Sequence, residues 1–281
     1  MSDRRSWAKG SDAYRRGLPA EPPRAGAHSS RVDAAAAAQR EMTGVFWSEK
    51  AIDRGQIRDV GVEKARHRFR TALPDLIWNA AALEGNTFTL PEVRTLLDGV
   101  TVSGRRLAEE QQILALSDAY GFVDDLVGAG RFRIDKATSD RVHGMLARHE
   151  AIEAGHFRGE GSVTGGGSVS LASGGTVDGV PAAQLGGRWA RLMEYLDGLT
   201  DPRDRALVFA ASATRTQFYF DGNKRTARLM MSGELMAHGF DVVSIPNARR
   251  LEYNVALDEL FTTDDATALM RFTASCALPG S

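Results

Sequence analysis

Cysteine is almost missing from this chain of 281 residues: the single Cys276 excludes a disulfide within the chain and leads us to expect a reducing, cytoplasmic setting. Also missing is an apolar run of the roughly 20 residues that a bilayer-crossing helix requires, so no membrane span is expected. Net charge is scarce too. The 35 Lys and Arg offset 36 Asp and Glu to leave −1, without the broad basic face that a nucleic-acid partner demands. Residues 1–40 have few large apolar side chains but carry Arg4, Arg5, Arg15, Arg16, Pro19, Pro22, Pro23 and Arg24, the composition of a disordered basic arm. The alanines 34–38 are too short a run to supply the apolar core of a signal peptide. With 43% of the chain hydrophobic, the remainder suffices for one sizeable core with extensions.

What is present is mostly helical pattern. Residues 65–84 read as helix, broken or kinked at Pro74 and stopped by Gly85-Asn86. Thr89 as N-cap, Pro91 in the first turn, Glu92 at the third position and Gly99 as stop mark a short helix of their own. Helical spacing recurs over 107–127, 134–149, 182–196 and 247–261. Asp201-Pro202 opens another helix, and Asp264 is expected to cap a last one reaching Cys276. Between Gly155 and Pro181 the glycine density rules out helix, and the Val/Thr alternation there fits a hairpin or a mobile loop. The whole predicts an all-α bundle with one small β-hairpin.

Two charge placements run against helix electrostatics. The stretch Gln217-Phe218-Tyr219-Phe220-Asp221-Gly222-Asn223-Lys224-Arg225-Thr226-Ala227-Arg228 crowds cations onto a helix start, which already bears partial positive charge and unpaired N–H groups. A phosphate among them would resolve the conflict; a solvated basic helix start with Asp221 as a turn residue is the alternative. Arg225 and Arg228 lie three apart and share one helix face. Asp221 offers a hard oxygen beside them of the kind Mg²⁺ takes together with phosphate and water. Glu84 is the mirror case, a carboxylate at a helix C-terminus, which is either exposed before a capping glycine or paired with an arginine.

The 217–228 stretch resembles the signature of the Fic/Doc (Fido) family, a loop of the form His-x-Phe-x-Asp/Glu-Gly/Ala-Asn-Gly/Lys-Arg between two helices. That family transfers AMP from ATP to a protein hydroxyl, or in Doc-type members phosphate. The resemblance implies a Fic-type bundle: a helical extension over 41–100, whose inhibitory helix ends at Glu84, and a core over 101–281 with a target-docking flap near 155–181, entered through His156 and Arg158. It further implies catalytic positions at Gln217, Asp221, Asn223 and Arg225, and ATP bound by Gly222, Asn223, Lys224, Arg225 and Arg228, with Tyr253 and Asn254 at the base. Mg²⁺ would sit on Asp221, Tyr219 would anchor the loop in the core, and a homodimer is compatible. Leu83-Glu84-Gly85-Asn86 is similar to the family's inhibitory segment, whose glutamate pairs with the second arginine, here Arg228; the usual Ser/Thr four residues earlier is Ala80.

Gln217 stands where the family has its histidine general base, and an amide takes no proton near neutral pH. Lys224 replaces the commoner glycine, as in Doc-like members. His143, His149 and His156 precede the flap, whereas His238 lies near the far end of the helix after the loop and reads as a dipole partner there. Three functions remain in view: a Fic-type transferase restrained by Glu84, a catalytically silent Fic scaffold, and Glu84-assisted removal of AMP from a target.

Overall fold

The computed structural model describes residues 26–280, so the first part of the expected arm lies outside the described residues. From Gly26 on, the chain departs from that expectation: Gly26–Thr43 forms helix α1. The alanine run supplies strong helix formers. The Arg188 guanidinium donates to the carbonyls of Arg40 and Glu41 at 3.1 and 2.9 Å, the first of which also takes the Gly44 N–H and the second of which the helix end leaves orphaned.

Helices α2 (Val62–Thr71) and α3 (Leu73–Leu83) are separated at Ala72, because Pro74 has no N–H to give and is accepted only in the first turn of α3. Helix α4 (Leu90–Leu97) starts as its sequence indicates, with the Glu92 carboxylate accepting from the Thr89 N–H at 2.7 Å. Helix α5 (Leu107–Gly128) buries Ile113, Leu116, Tyr120, Val123 and Val127 on one face, and α6 (Lys136–Leu146) follows. Strands β1 (Ser168–Ser170) and β2 (Thr176–Asp178) pair antiparallel, Val169 opposite Val177. Helices α7 (Leu185–Asp197) and α8 (Pro202–Thr216) lead into the loop before α9 (Asn223–Ala237), and α10 (Arg250–Thr263) and α11 (Thr267–Ala274) close the bundle.

Helix α9 is the axis of the core. From Leu229 to Met236 every residue on it is buried, and Gly233 is where the Phe132 ring packs against it so closely that a Cβ would overlap the ring. The extension is fastened to this core by charge. Asp241 is fully buried after α9, and Arg58 and Arg68 each reach it at 2.6 Å. Asp264 corrects its expected role: at φ 61° it ends α10 in the left-handed region and takes Arg215 at 2.7 Å, while Asp265 accepts from the Thr267 N–H at the start of α11. A left-handed Asp is tolerated because its short polar side chain finds local partners. Among the described residues no helix is long and apolar enough to cross a membrane.

Candidate functional site

Helix α8 ends because Gln217 turns left-handed, at φ 58°. Its amide is then consumed by the loop that it begins: Nε2 donates to the Thr214 carbonyl at 2.6 Å and Oε1 accepts from Asn223 Nδ2 at 3.0 Å. Asn223 in turn grips Tyr219, accepting its N–H at 2.8 Å and donating to its carbonyl at 2.7 Å. Tyr219 is buried, as expected of an anchor, and its hydroxyl donates to Asp140 at 2.9 Å.

Beneath Tyr219 lies His143, stacked on it with ring centroids 3.8 Å apart. His143 Nδ1 accepts from the Gly155 N–H, so Nε2 carries the proton and donates to the Asp221 carbonyl, both at 2.8 Å. Burial brings this imidazole down to about 4. It therefore holds the loop as a neutral ring, with no free nitrogen for base chemistry.

Gly222 precedes α9 with φ 72°, and a Cβ added there would press on Ala147 and Leu146, so a side chain would be both strained and crowded. The first turn of α9 presents N–H groups that lack helical partners, at the position where an anion is favoured. Around it stand the cations. Arg228 Nη2 lies 3.2 Å from one Glu84 oxygen and Lys224 Nζ 3.1 Å from the other. Burial opposes ionisation of Glu84, but Arg228, then Lys224 and Arg225, outweigh it and hold the carboxyl at about 2. Arg228 also donates to the Tyr253 hydroxyl at 2.9 Å. Its own pKa is raised, since Tyr253 and Glu84 overcome the effect of burial.

Arg225 is buried and points elsewhere. Its Nη1 meets Glu150 at 2.7 Å, Nη2 lies 3.7 Å from Asp221, and Nε has no partner. Burial favours its neutral form, and the bond to Glu150 more than compensates, so its pKa is raised.

Glu84, Gln217, Asp221, Gly222, Asn223, Lys224 and Arg225, all singled out from sequence, line one cavity of ≈ 260 Å³ under flap residues Ser168–Ser170. A second cavity of ≈ 210 Å³ shares Lys224 and Val169-Ser170 with it and is walled by Asn254, Leu257, Asp258 and Phe261. Asn254 thus lines the cavity beside the cation cluster. Tyr253 does not line it and is buried against Arg228. Asp221, with a 62% exposed side chain, is a single available carboxylate, and the described residues contain no group of three or more His, Cys, Asp or Glu that could hold a metal. That donor set fits Mg²⁺ arriving with a polyphosphate.

The flap is tied down at both ends. Arg158 donates to the carbonyls of Gln217, Gly166 and Val180 at 2.7, 2.9 and 2.6 Å, joining the flap's two strand-flanking segments to the loop. At the tip, the Asp258 carboxylate accepts from the N–H groups of Ala172 and Ser173 at 3.0 and 2.7 Å. Sequence reading missed Glu150, His143 as a loop support, and Asp258. Asp258 falls in a helical pattern with nothing to distinguish it, and Glu150 lies in an irregular turn.

No family model matches the chain. Protein adenylyltransferase Fic of Drosophila ananassae is 30% identical over 202 residues, 71% of this chain and 39% of that protein, and the Drosophila erecta protein of the same name is 29% identical over the same shares. The chain therefore spans about two fifths (39%) of the length of these relatives. Among solved structures, a Fic-domain-containing signaling protein from Bacteroides thetaiotaomicron superposes with TM-score 0.63 at 16% identity, over 87% of this chain and 91% of that one. Fic-1 from C. elegans gives 0.61 at 20% identity, over 89% and 72%.

Proposed function

We propose that this chain, whose fold is that of Fic proteins, belongs to the Fic family and moves AMP, or another phosphate-containing group, from Mg·ATP to a protein hydroxyl docked at the flap, under restraint by Glu84. The observation that carries this reading is Glu84, a carboxylate set between Arg228 and Lys224 at the positive end of α9. A structural ion pair has no need of that place; an anion site held shut does. The Drosophila relatives are named protein adenylyltransferases, which points the same way.

In this reading Arg225, Arg228 and Lys224 grip the phosphates with the first N–H groups of α9, Asp221 holds Mg²⁺, which would neutralise phosphate charge, and the base lies beside Asn254. The hydroxyl must lose its proton without help from Gln217, whose amide accepts none and is already bonded on both sides. Loss of a general base costs about 10²- to 10⁴-fold, so turnover is slow. The same two bonds favour a second reading, a silent scaffold in which Gln217 serves only the loop. Hydrolytic removal of AMP with Glu84 as base fits less well, since a carboxyl held at about 2 is a weak base until it leaves its arginine.

Calorimetry with Mg·ATP tests the reading. Glu84→Gly is expected to bind, and Glu84→Gly/Arg228→Ala to lose binding. In Glu84→Gly, adding Gln217→His should raise label transfer from ATP to lysate proteins at least 10²-fold, and adding Asp221→Ala should abolish it. Binding without transfer in the histidine variant would leave the scaffold standing, and no binding in any variant would end the nucleotide reading.

A further inference from the structure

Glu84 accounts for only one of the two arginines. Arg225, whose side chain is 3% exposed, is occupied by Glu150, a residue from the turn after α6 rather than from the extension. The other Glu150 oxygen accepts from Gln112 Nε2 on α5 at 3.0 Å. Gln112 Oε1 accepts in turn from Asn86 Nδ2 at 2.8 Å, and Asn86 follows Glu84 by two residues. Asn86 is itself fixed, donating also to the Glu109 carbonyl at 3.0 Å. The two arginines are one turn apart on α9. A closed ring results: Arg228, Glu84, Asn86, Gln112, Glu150, Arg225 and back along the helix. Each arginine that a polyphosphate would use is neutralised by a carboxylate, and side-chain amides tie the Glu150 carboxylate to the main chain two residues after Glu84.

We propose that Glu150 is a second restraint on the anion site, a positioning residue that keeps Arg225 from incoming phosphate as Glu84 keeps Arg228, so that removing Glu84 alone opens only half of the site. The proposal rests on the anion-binding reading above. A purely structural Glu150 makes the opposite prediction: breaking its bond would loosen Arg225 and weaken anion binding, whereas releasing a restraint strengthens it.

Glu150→Gln is the informative change, because it keeps an acceptor for Gln112 and the side-chain shape while removing the charge that competes with phosphate. Magnesium tripolyphosphate, which needs the arginines but no base pocket, is titrated calorimetrically into Glu84→Gly and Glu84→Gly/Glu150→Gln, with Mg·ATP in parallel and thermal unfolding to check that both fold. The expected result is affinity for tripolyphosphate about five- to tenfold tighter in the double variant. Equal or weaker affinity, with the fold intact, overturns the proposal. Tighter tripolyphosphate binding with no Mg·ATP binding in either variant upholds the restraint and refutes the nucleotide reading instead. Absence of tripolyphosphate binding in both overturns the two together. If Glu150→Gln fails to fold, Glu150→Asp, which retracts the carboxylate while retaining charge, is expected to give a smaller tightening, and none would count against the proposal.

Discussion

His143 should make the protein acid-sensitive in a window set by one ring. Its ordinary value of 6.5 falls to about 4 when buried, and the structure gives the reason a proton cannot be added cheaply: Nδ1 already faces the Gly155 N–H and would have to present a second N–H to it. A depressed histidine is neutral in the folded state while the unfolded chain takes up the proton first. Stability is therefore full above pH 6.5 and falls as pH drops from there toward 4. At ~1.4 kcal/mol for each pH unit, the interval amounts to at most ~3.5 kcal/mol, a large share of an ordinary domain's stability. Other carboxylates titrate in the same range, so the measurement is a difference. Urea unfolding followed by circular dichroism at pH 7.5, 6.5, 5.5 and 4.5 is run on the natural chain and on His143→Gln. The substituted amide can still accept from Gly155 and donate to the Asp221 carbonyl, but it does not titrate. The natural chain should lose about 2–3 kcal/mol more than the variant across the series, nearly all of it below pH 6.5. Parallel pH dependences for the two proteins would refute both the buried neutral tautomer and the role given to it.

The flap and the core yield further tests. Asp258→Ala removes both acceptors at the hairpin tip, so the Ala172 and Ser173 amides should exchange at least about tenfold faster by hydrogen-exchange mass spectrometry, with thermal unfolding nearly unmoved; unchanged exchange would show that the latch does not hold the flap. Gly233→Ala ought to stabilise a helix interior by about 1 kcal/mol on propensity alone. The new Cβ meets the buried Phe132 ring, however, and overpacking of about 1–3 kcal/mol should leave the variant no more stable than the natural chain and more often ~1 kcal/mol less so. A raised melting temperature would contradict that account.

What the sequence revealed was local chemistry, and what it hid was pairing at a distance. Thr89 with Glu92, Asp201 with Pro202, and the break at Pro74 announce themselves within four residues, because capping and proline geometry act along the chain. The charges at Glu84 and on 224–228 were conspicuous because each opposes a helix dipole. Glu150 opposes nothing locally; only the fold brings it to Arg225, 75 positions away. Asp264 was misjudged for a related reason, since an aspartate beside a helix start and one at a left-handed helix end look alike until the backbone is known.

The double grip on Asp241 also limits how the protein can be cut. Deleting residues 26–100 would leave that carboxylate inside the bundle with neither Arg58 nor Arg68 to answer its charge, a loss of about 3–5 kcal/mol for a buried pair broken from one side. The segment bearing Glu84 thus behaves as part of the frame rather than as a detachable leader. If Glu84 restrains the site as proposed, a shortened protein that has lost Arg58 and Arg68 would misreport the unrestrained site as an unstable one.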